Sequence, residues 1–236
     1  MKAILFDLDG TLLPMDQMGF VKEYLKHLSK WMMVKGYDPE ALNAAVWKGT
    51  EAAIKNDGSC TNEERFWQVF AGILGEKVLA DKPYIDEFYV EEFNKARTSC
   101  GFDERAKKVI GFVKTKFDKV ILATNPVFPQ MATFHRINWA GMDKNDFDRV
   151  TAYENSSFAK PNVAYYKEIL DKMGLEAKDC IMVGNDVDED MMAKELGMSV
   201  FLLTPCMINR KDKDISGYPH GDYDDLQAFI GALNEE

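Results

Sequence analysis

No stretch of this 236-residue chain approaches the ~18 consecutive apolar residues of a membrane-spanning helix, so no membrane partner is expected. Basic charge is in short supply: 29 Lys and Arg stand against 39 Asp and Glu, a net charge of −10, and no basic run exceeds two residues. A nucleic-acid groove is therefore excluded. The same negative field repels anionic ligands at long range, so any phosphate site must recruit local cations or a metal. The four cysteines (Cys60, Cys100, Cys180, Cys206) form no CxxC pair, which leaves neither a zinc site nor a disulfide framework and makes inert thiols the expectation. His27, His135 and His220 share no ligand spacing and are assigned no chemistry. The opening MKAILFDLDG turns acidic after six residues and has no small-residue cleavage site. It does not read as a signal peptide, and a cytoplasmic, soluble protein is expected.

Apolar residues make up 46% of the chain, enough for one large domain or a core domain carrying a smaller one. Residues 2–6 form a short apolar run that stops abruptly at Asp7-Leu8-Asp9-Gly10-Thr11. Val120–Ala123 before Thr124-Asn125-Pro126, Cys180–Val183 before Gly184-Asn185-Asp186, and Ser199–Leu203 before Thr204-Pro205 repeat the pattern. Continuous apolar strands of this kind suit a parallel sheet covered on both faces. Between them lie helical stripes: Phe102, Ala106, Val109, Ile110, Val113 and Phe117, then Val163, Tyr166, Ile169, Leu170 and Met173, stopped by Gly174. The alternation predicts an α/β core, a Rossmann-like doubly wound parallel sheet.

Residues 15–98 break the rhythm. They carry no convincing strand, but show helical stripes at Val21, Tyr24, Leu25, Leu28, Trp31 and Met32, at Phe66, Trp67, Phe70, Ile73 and Leu74, and around Tyr84 to Phe93. Thr61 with Glu64 forms a capping-box signature. The reading is a catalytic core of residues 1–14 and 99–236 with an all-helical cap, 15–98, inserted after the first strand. Trp31, Trp47 and Trp67 are expected in the cap's interior.

Ligand sites of open parallel sheets lie beyond the carboxyl ends of the strands. Three apolar strands each deliver polar groups to that edge: Asp7 and Asp9, then Thr124 and Asn125, then Asn185 and Asp186. With Lys160 in Ala159-Lys160-Pro161-Asn162 and Asp190 further on, this ordered set resembles the four motifs of the haloacid-dehalogenase-like hydrolase superfamily. The resemblance covers residues 1–14 and 99–236 and implies a Mg²⁺-dependent phosphohydrolase acting on a small phosphate ester through an aspartyl-phosphate. By it, Asp7 is the nucleophile and a metal ligand, and Asp9 is general acid and base while lending its backbone carbonyl to the metal. Thr124 and Asn125 bind phosphoryl oxygens, and Lys160 offsets charge between nucleophile and phosphate.

The fourth motif departs from the commonest pattern, because Asn185 stands where an acid usually follows Gly184. Either Asp186 ligates the metal with Asp190 in support, or Asn185 does so through its carboxamide oxygen. Asp186 is favoured, since a carboxylate binds a hard cation better than an amide. Asp188 and Glu189 are expected to be solvated. In the cap, residues 56–60 are expected to form a lid tip, and Arg65 or Lys48 to be within reach of the leaving group. Asp9 argues against a dehalogenase, which has no leaving oxygen to protonate, and no cap lysine is marked for the Schiff base that phosphonate cleavage needs. A phosphomutase on the same core, or a catalytically idle scaffold of the same fold, remains as an alternative. A phospho-accepting receiver module is about half this length and carries no large insertion.

Overall fold

In a computed structural model, which describes residues 1–233, six parallel strands form one sheet in the order β3-β2-β1-β4-β5-β6. They are β1 (Ala3–Phe6), β2 (Lys119–Leu122), β3 (Arg149–Val150), β4 (Cys180–Gly184), β5 (Ser199–Leu203) and β6 (His220–Gly221). The helices are α1 (Gln17–Met33), α2 (Pro39–Ile54), α3 (Asn62–Leu74), α4 (Lys77–Ala80), α5 (Lys82–Glu91), α6 (Glu104–Val113), α7 (Gln130–Trp139), α8 (Val163–Met173) and α9 (Tyr223–Leu233). Among the described residues no helix is long and apolar enough to cross a membrane.

The apolar runs become strands because both of their faces are covered. Ile4 and Phe6 of β1, with Val120, Leu122, Ile181 and Val183 beside them, pack into the core that also takes Ala106 and Ile110 of α6 and Ile230 of α9. Ala3 and Leu5 point the other way, onto Tyr165, Ile169 and Leu170 of α8. The register aligns Phe6 with Leu122 on one side and Val183 on the other. Asp7 N then donates to Val183 O over 2.9 Å and Ala123 N to Phe6 O over 2.7 Å, so all three loops leave the sheet at one level.

Residues 17–91 fold as α1 to α5 and return through a 3₁₀ segment, Phe93–Ser99. Gly101 N donates to Pro14 O over 2.7 Å, so the outgoing and returning connections run side by side. The expected capping box is present: Glu64 N donates to Thr61 Oγ1 over 3.1 Å and Thr61 N to Glu64 Oε2 over 2.7 Å. The apolar face of the inserted helices continues the core of the sheet. Phe20 of α1 meets Phe128 and Trp139 at ring-centroid distances of 5.9 and 6.3 Å. Each aromatic buried to the degree of Phe88 or Phe93, both fully inaccessible, contributes roughly 1.5–3 kcal/mol.

Three expected core positions are not in the core. Phe102 precedes α6 rather than joining its buried face, because Asp103 caps that helix, and it lies exposed. Trp47 and Ile73 face solvent as well. Of the other two tryptophans expected in the cap's interior, Trp67 is buried, and Trp31 is half-buried, stacked on Tyr84 with centroids 4.7 Å apart.

Candidate active site

The turn after β1 is closed by Leu13 N donating to Leu8 O and Gly10 N to Leu13 O, both over 2.8 Å. Gly10 takes a φ of +88°, and a Cβ there would collide with the carboxamide of Asn185, so the turn needs glycine on two counts. The turn sets Thr11 beside Asp7. The Thr11 hydroxyl lies 3.1 Å from Asp7 Oδ2 and 3.0 Å from Asn185 Oδ1. Asn185 Nδ2 donates to Cys206 O over 2.7 Å, which orients the carboxamide with its oxygen toward Thr11.

Lys160, 1% exposed, donates from Nζ to Asp7 Oδ1 over 2.8 Å and to Asp190 Oδ1 over 2.6 Å. Burial alone favours the neutral amine, but Asp190 and Asp7 outweigh it and raise the Lys160 pKa well above the usual lysine range. Burial raises the Asp190 carboxyl, opposed by the Lys160 ammonium. Asp190 Oδ2 accepts from Asp186 N over 2.9 Å and ties the fourth motif to the lysine. Asp186 faces elsewhere. Its Oδ1 accepts from the amides of Asp188 and Glu189, and its Oδ2 pairs with Arg210 at 2.6 Å. Arg210 arrives because Ile208 N donates to Asn185 O and Val187 N to Ile208 O, laying that segment along the motif.

Thr124 is buried at the end of β2, its carbonyl accepting from Thr151 Oγ1 over 2.7 Å and Tyr165 Oη over 2.8 Å. Asn125 Nδ2 donates to Glu189 Oε2 over 3.1 Å. Glu189 is thus half-buried beside the site rather than solvated, and burial raises its pKa. Asp188 is half-buried too, paired with Lys213 at 2.5 Å.

Asp9 lines a cleft of about 140 Å³ together with Gln17, Phe20, Asn125, Phe128 and Glu189. Its Oδ2 is paired with the guanidinium of Arg136 from α7, and its Oδ1 is buried without a hydrogen-bond partner. Burial pushes its carboxyl up to about 6, with Arg136 opposing the shift and Asp7 adding to it.

The cap residues expected near the leaving group are engaged elsewhere. Lys48 pairs with Glu51 on the surface, and Arg65 is held by Asn56, Asp57 and Ser59. The 56–60 loop packs on the core, where a Cβ on Gly58 would strike the ring of Phe158, and neighbouring Asn62 donates to Pro126 O and Phe158 O. Arg136 and Arg210 were not singled out in the sequence, and Glu189 was expected in solvent rather than beside the site. For Arg136 a signal existed, a lone arginine among the apolar residues of α7; for Arg210, in an irregular loop, there was none.

The profile of the haloacid dehalogenase-like hydrolase family matches residues 1–197. The chain belongs to that family. Among curated proteins, this hydrolase is similar to two archaeal enzymes, each named glyceraldehyde 3-phosphate phosphatase. That of Methanocaldococcus jannaschii is 37% identical over 87 residues, 36% of each chain, so the match spans about a third of that relative. That of Methanothermobacter thermautotrophicus is 25% identical over 207 residues, 86% of this chain and 85% of the relative. Among solved structures, a HAD phosphatase from Thermococcus onnurineus superposes with a TM-score of 0.58 at 17% identity over 98% of each chain. A 2-haloacid dehalogenase from Pseudomonas syringae pv. Tomato DC3000 does so with a TM-score of 0.65 at 16% identity over 99% of each. At these identities the structural likeness bears on the shared α/β fold alone.

The donor chemistry of the hydrolase site fits a hard divalent cation. Asp7 and Asn185 offer side-chain oxygens on either side of Thr11. The Gly10–Leu13 and Leu13–Leu8 hydrogen bonds leave the carbonyl of Asp9 out of the turn's ladder. Among the described residues no three His, Cys, Asp or Glu side chains are grouped to hold a metal by themselves. Such a site suits Mg²⁺, which keeps several waters and takes one or two carboxylates, better than a tighter-held metal.

Proposed function

We propose that this chain is a phosphatase that hydrolyses a small phosphate monoester, with Asp7 as the covalent nucleophile. The observation that carries the reading is the setting of Asp7, a nearly buried carboxylate at the end of the central strand, held by Lys160 on one oxygen and Thr11 on the other.

An Asp7 oxygen attacks phosphorus as the bond to the leaving oxygen breaks, giving an aspartyl-phosphate. Asp9 gives its proton to the leaving oxygen, then takes one from the water that attacks the phosphorus of the aspartyl-phosphate, releasing phosphate and restoring Asp7. Lys160, charged and fixed before substrate arrives, offsets the phosphoryl group's negative charge, and Thr124 and Asn125 bind its oxygens from the end of β2. Asp7, the carbonyl of Asp9 and Asn185 would hold Mg²⁺, which when bound neutralises charge on the phosphoryl oxygens. Asn185 is preferred to Asp186 because its oxygen lies beside Asp7 through Thr11, whereas Asp186 is committed to Arg210 and two backbone amides.

The substrate is read as a compact phosphate monoester whose organic part carries no charge, of the triose-phosphate kind. The cleft beside Asp9 is small, apolar at Phe20, Val21 and Phe128, and has acids but no basic residue in its lining. The names of the two curated relatives point the same way. The test is Mg²⁺-dependent phosphate release from 4-nitrophenyl phosphate and from glyceraldehyde 3-phosphate by the wild type and by Asp7→Asn. Turnover by a folded Asp7→Asn protein at the wild-type rate would remove the nucleophile assignment.

A further inference from the structure

Arg136 heads the largest fully buried side chains of the described residues, and it is charged. Its Nε donates to Ala132 O over 3.3 Å and its Nη2 to Thr133 Oγ1 over 3.2 Å. The guanidinium lies 4.7 Å from the ring centroid of Phe128 and 5.8 Å from that of Phe20. Among the described residues its single carboxylate partner is Asp9, through Oδ2. A buried ion pair is seldom more stabilising than well-packed apolar side chains of the same volume, so stability alone gives a weak reason for this arrangement. The effect on Asp9 gives a stronger one. A carboxylate free to rotate presents either oxygen to its surroundings; here one oxygen is taken by a buried guanidinium with two further hydrogen bonds of its own, and the other is buried and unpartnered in a residue that lines the cleft.

We propose that Arg136 is the positioning residue for proton transfer: by anchoring Oδ2 of Asp9 within the core it fixes the carboxyl beside the cleft and leaves Oδ1 as the oxygen that carries the transferred proton. This rests on the reading of Asp9 as general acid and base. In the first half-reaction the proton on Oδ1 passes to the leaving oxygen as the bond from that oxygen to phosphorus breaks and the bond from Asp7 forms. In the second, the same oxygen takes a proton from the attacking water. Arg136 keeps its own protons throughout. The two rings that flank it belong to different parts of the chain, Phe20 to α1 and Phe128 to the loop before α7, so the placement of Asp9 depends on α1 being seated against the core.

The test compares two substrates by kcat/KM, which reports the step in which the leaving group departs. 4-Nitrophenyl phosphate releases a stable phenolate that needs no proton, whereas glycerol 3-phosphate releases an alkoxide that does. Arg136→Met is expected to lose ~100-fold on the alkyl ester and less than ~5-fold on the aryl ester, the low end of what general acid catalysis supplies. Arg136→Lys and Thr133→Val, which disturb the anchor with less risk to folding, are expected to shift the alkyl-to-aryl ratio in the same direction by smaller factors. A role confined to holding the fold would lower both substrates alike. An unchanged ratio in folded Arg136→Lys and Thr133→Val, or a wild type that turns over the aryl ester alone, overturns the inference. A wild type that releases no phosphate from either ester with Mg²⁺ present overturns the phosphatase reading itself.

Discussion

Lys160 and Asp190 are joined by a 2.6 Å ion pair in which both side chains are 1% exposed. The lysine also neutralises Asp7, so one cation serves two carboxylates. Lys160→Met leaves both without a counter-charge and is expected to lower the unfolding free energy by roughly 3–5 kcal/mol, as broken buried pairs do. Asp190→Asn keeps the shape and leaves Lys160 paired with Asp7, so its loss is expected to be smaller. The double variant Lys160→Met/Asp190→Asn should recover part of the first loss, since one uncompensated charge has gone. Urea denaturation of the four proteins measures this; equal losses in the two single variants would mean that Asp190 alone carries the lysine's pairing and Asp7 adds nothing to it.

His135 sits next to Arg136 on α7, half-buried, with its ring 6.2 Å from that of Phe93 and its Nε2 buried without a partner. Burial lowers its pKa below 6.5, opposed by a backbone hydrogen bond with Tyr89. The unfolded chain therefore binds the proton more readily than the folded one. Stability from this residue is fully present above pH 6.5 and is lost as pH falls through 6.5 toward the folded value. His135→Gln is expected to flatten the fall in melting temperature between pH 7.5 and 5.5 relative to wild type. A parallel fall in both proteins would show that His135 takes no part in it.

The sheet was legible in the sequence because a strand buried on both faces has to be apolar, and β1 and β4 are, as are β2 and β5 after their first residues, Lys119 and Ser199. The short strands β3 and β6, two residues each, leave no such run and owe their existence to pairing with β2 and β5. Asp7, Thr124, Lys160 and Asp190 were legible as an ordered set of strand-end residues. Arg136 and Arg210 were not placed and Glu189 was expected in solvent, since their surroundings come from tertiary neighbours: Asp9 lies 127 positions from Arg136, Asp186 24 from Arg210 and Asn125 64 from Glu189. The expectation that Asp186 takes the metal came from ligand chemistry alone, which prefers a carboxylate. The fold adds a tertiary fact, Thr11 standing between Asp7 and Asn185, that favours the other register, with Asn185 as the proposed ligand.

That placement can be weighed directly by metal binding. If Asn185 is the ligand, Asn185→Ala should weaken Mg²⁺ binding by ~10-fold or more, and Asn185→Asp should strengthen it by adding the charge that the position lacks. Asp186→Asn should weaken it by a smaller factor, because its carboxylate acts through Arg210 and the Asp188 and Glu189 amides rather than on the ion. Titration calorimetry of Mg²⁺ into the three variants, without substrate, gives the ranking. A larger loss in Asp186→Asn would return the ligand position to Asp186 and make Asn185 a brace for the Gly10 turn.

Glu189 is expected to govern which charged substrates the cleft admits. The lining holds two acids, Asp9 and Glu189, and no lysine or arginine, so a substrate with a second negative group at its far end meets repulsion with nothing to offset it. Asn125 fixes the Glu189 carboxylate 3.1 Å away and keeps it at the wall of the cleft. A like charge brought within several ångströms of it, in surroundings of intermediate dielectric, weakens binding by about 1.4 kcal/mol or more, a factor of ten. Among three-carbon monophosphates, glycerol 3-phosphate is therefore expected to outrank 3-phosphoglycerate in kcat/KM. Glu189→Gln keeps an oxygen for Asn125 and removes the charge. It is expected to raise kcat/KM for the carboxylate about tenfold relative to the alcohol, mostly through KM, since the repelling group is remote from the bond that breaks. If both substrates respond to Glu189→Gln by the same factor, the acid acts on the phosphoryl end of the site and the far end of the substrate lies elsewhere.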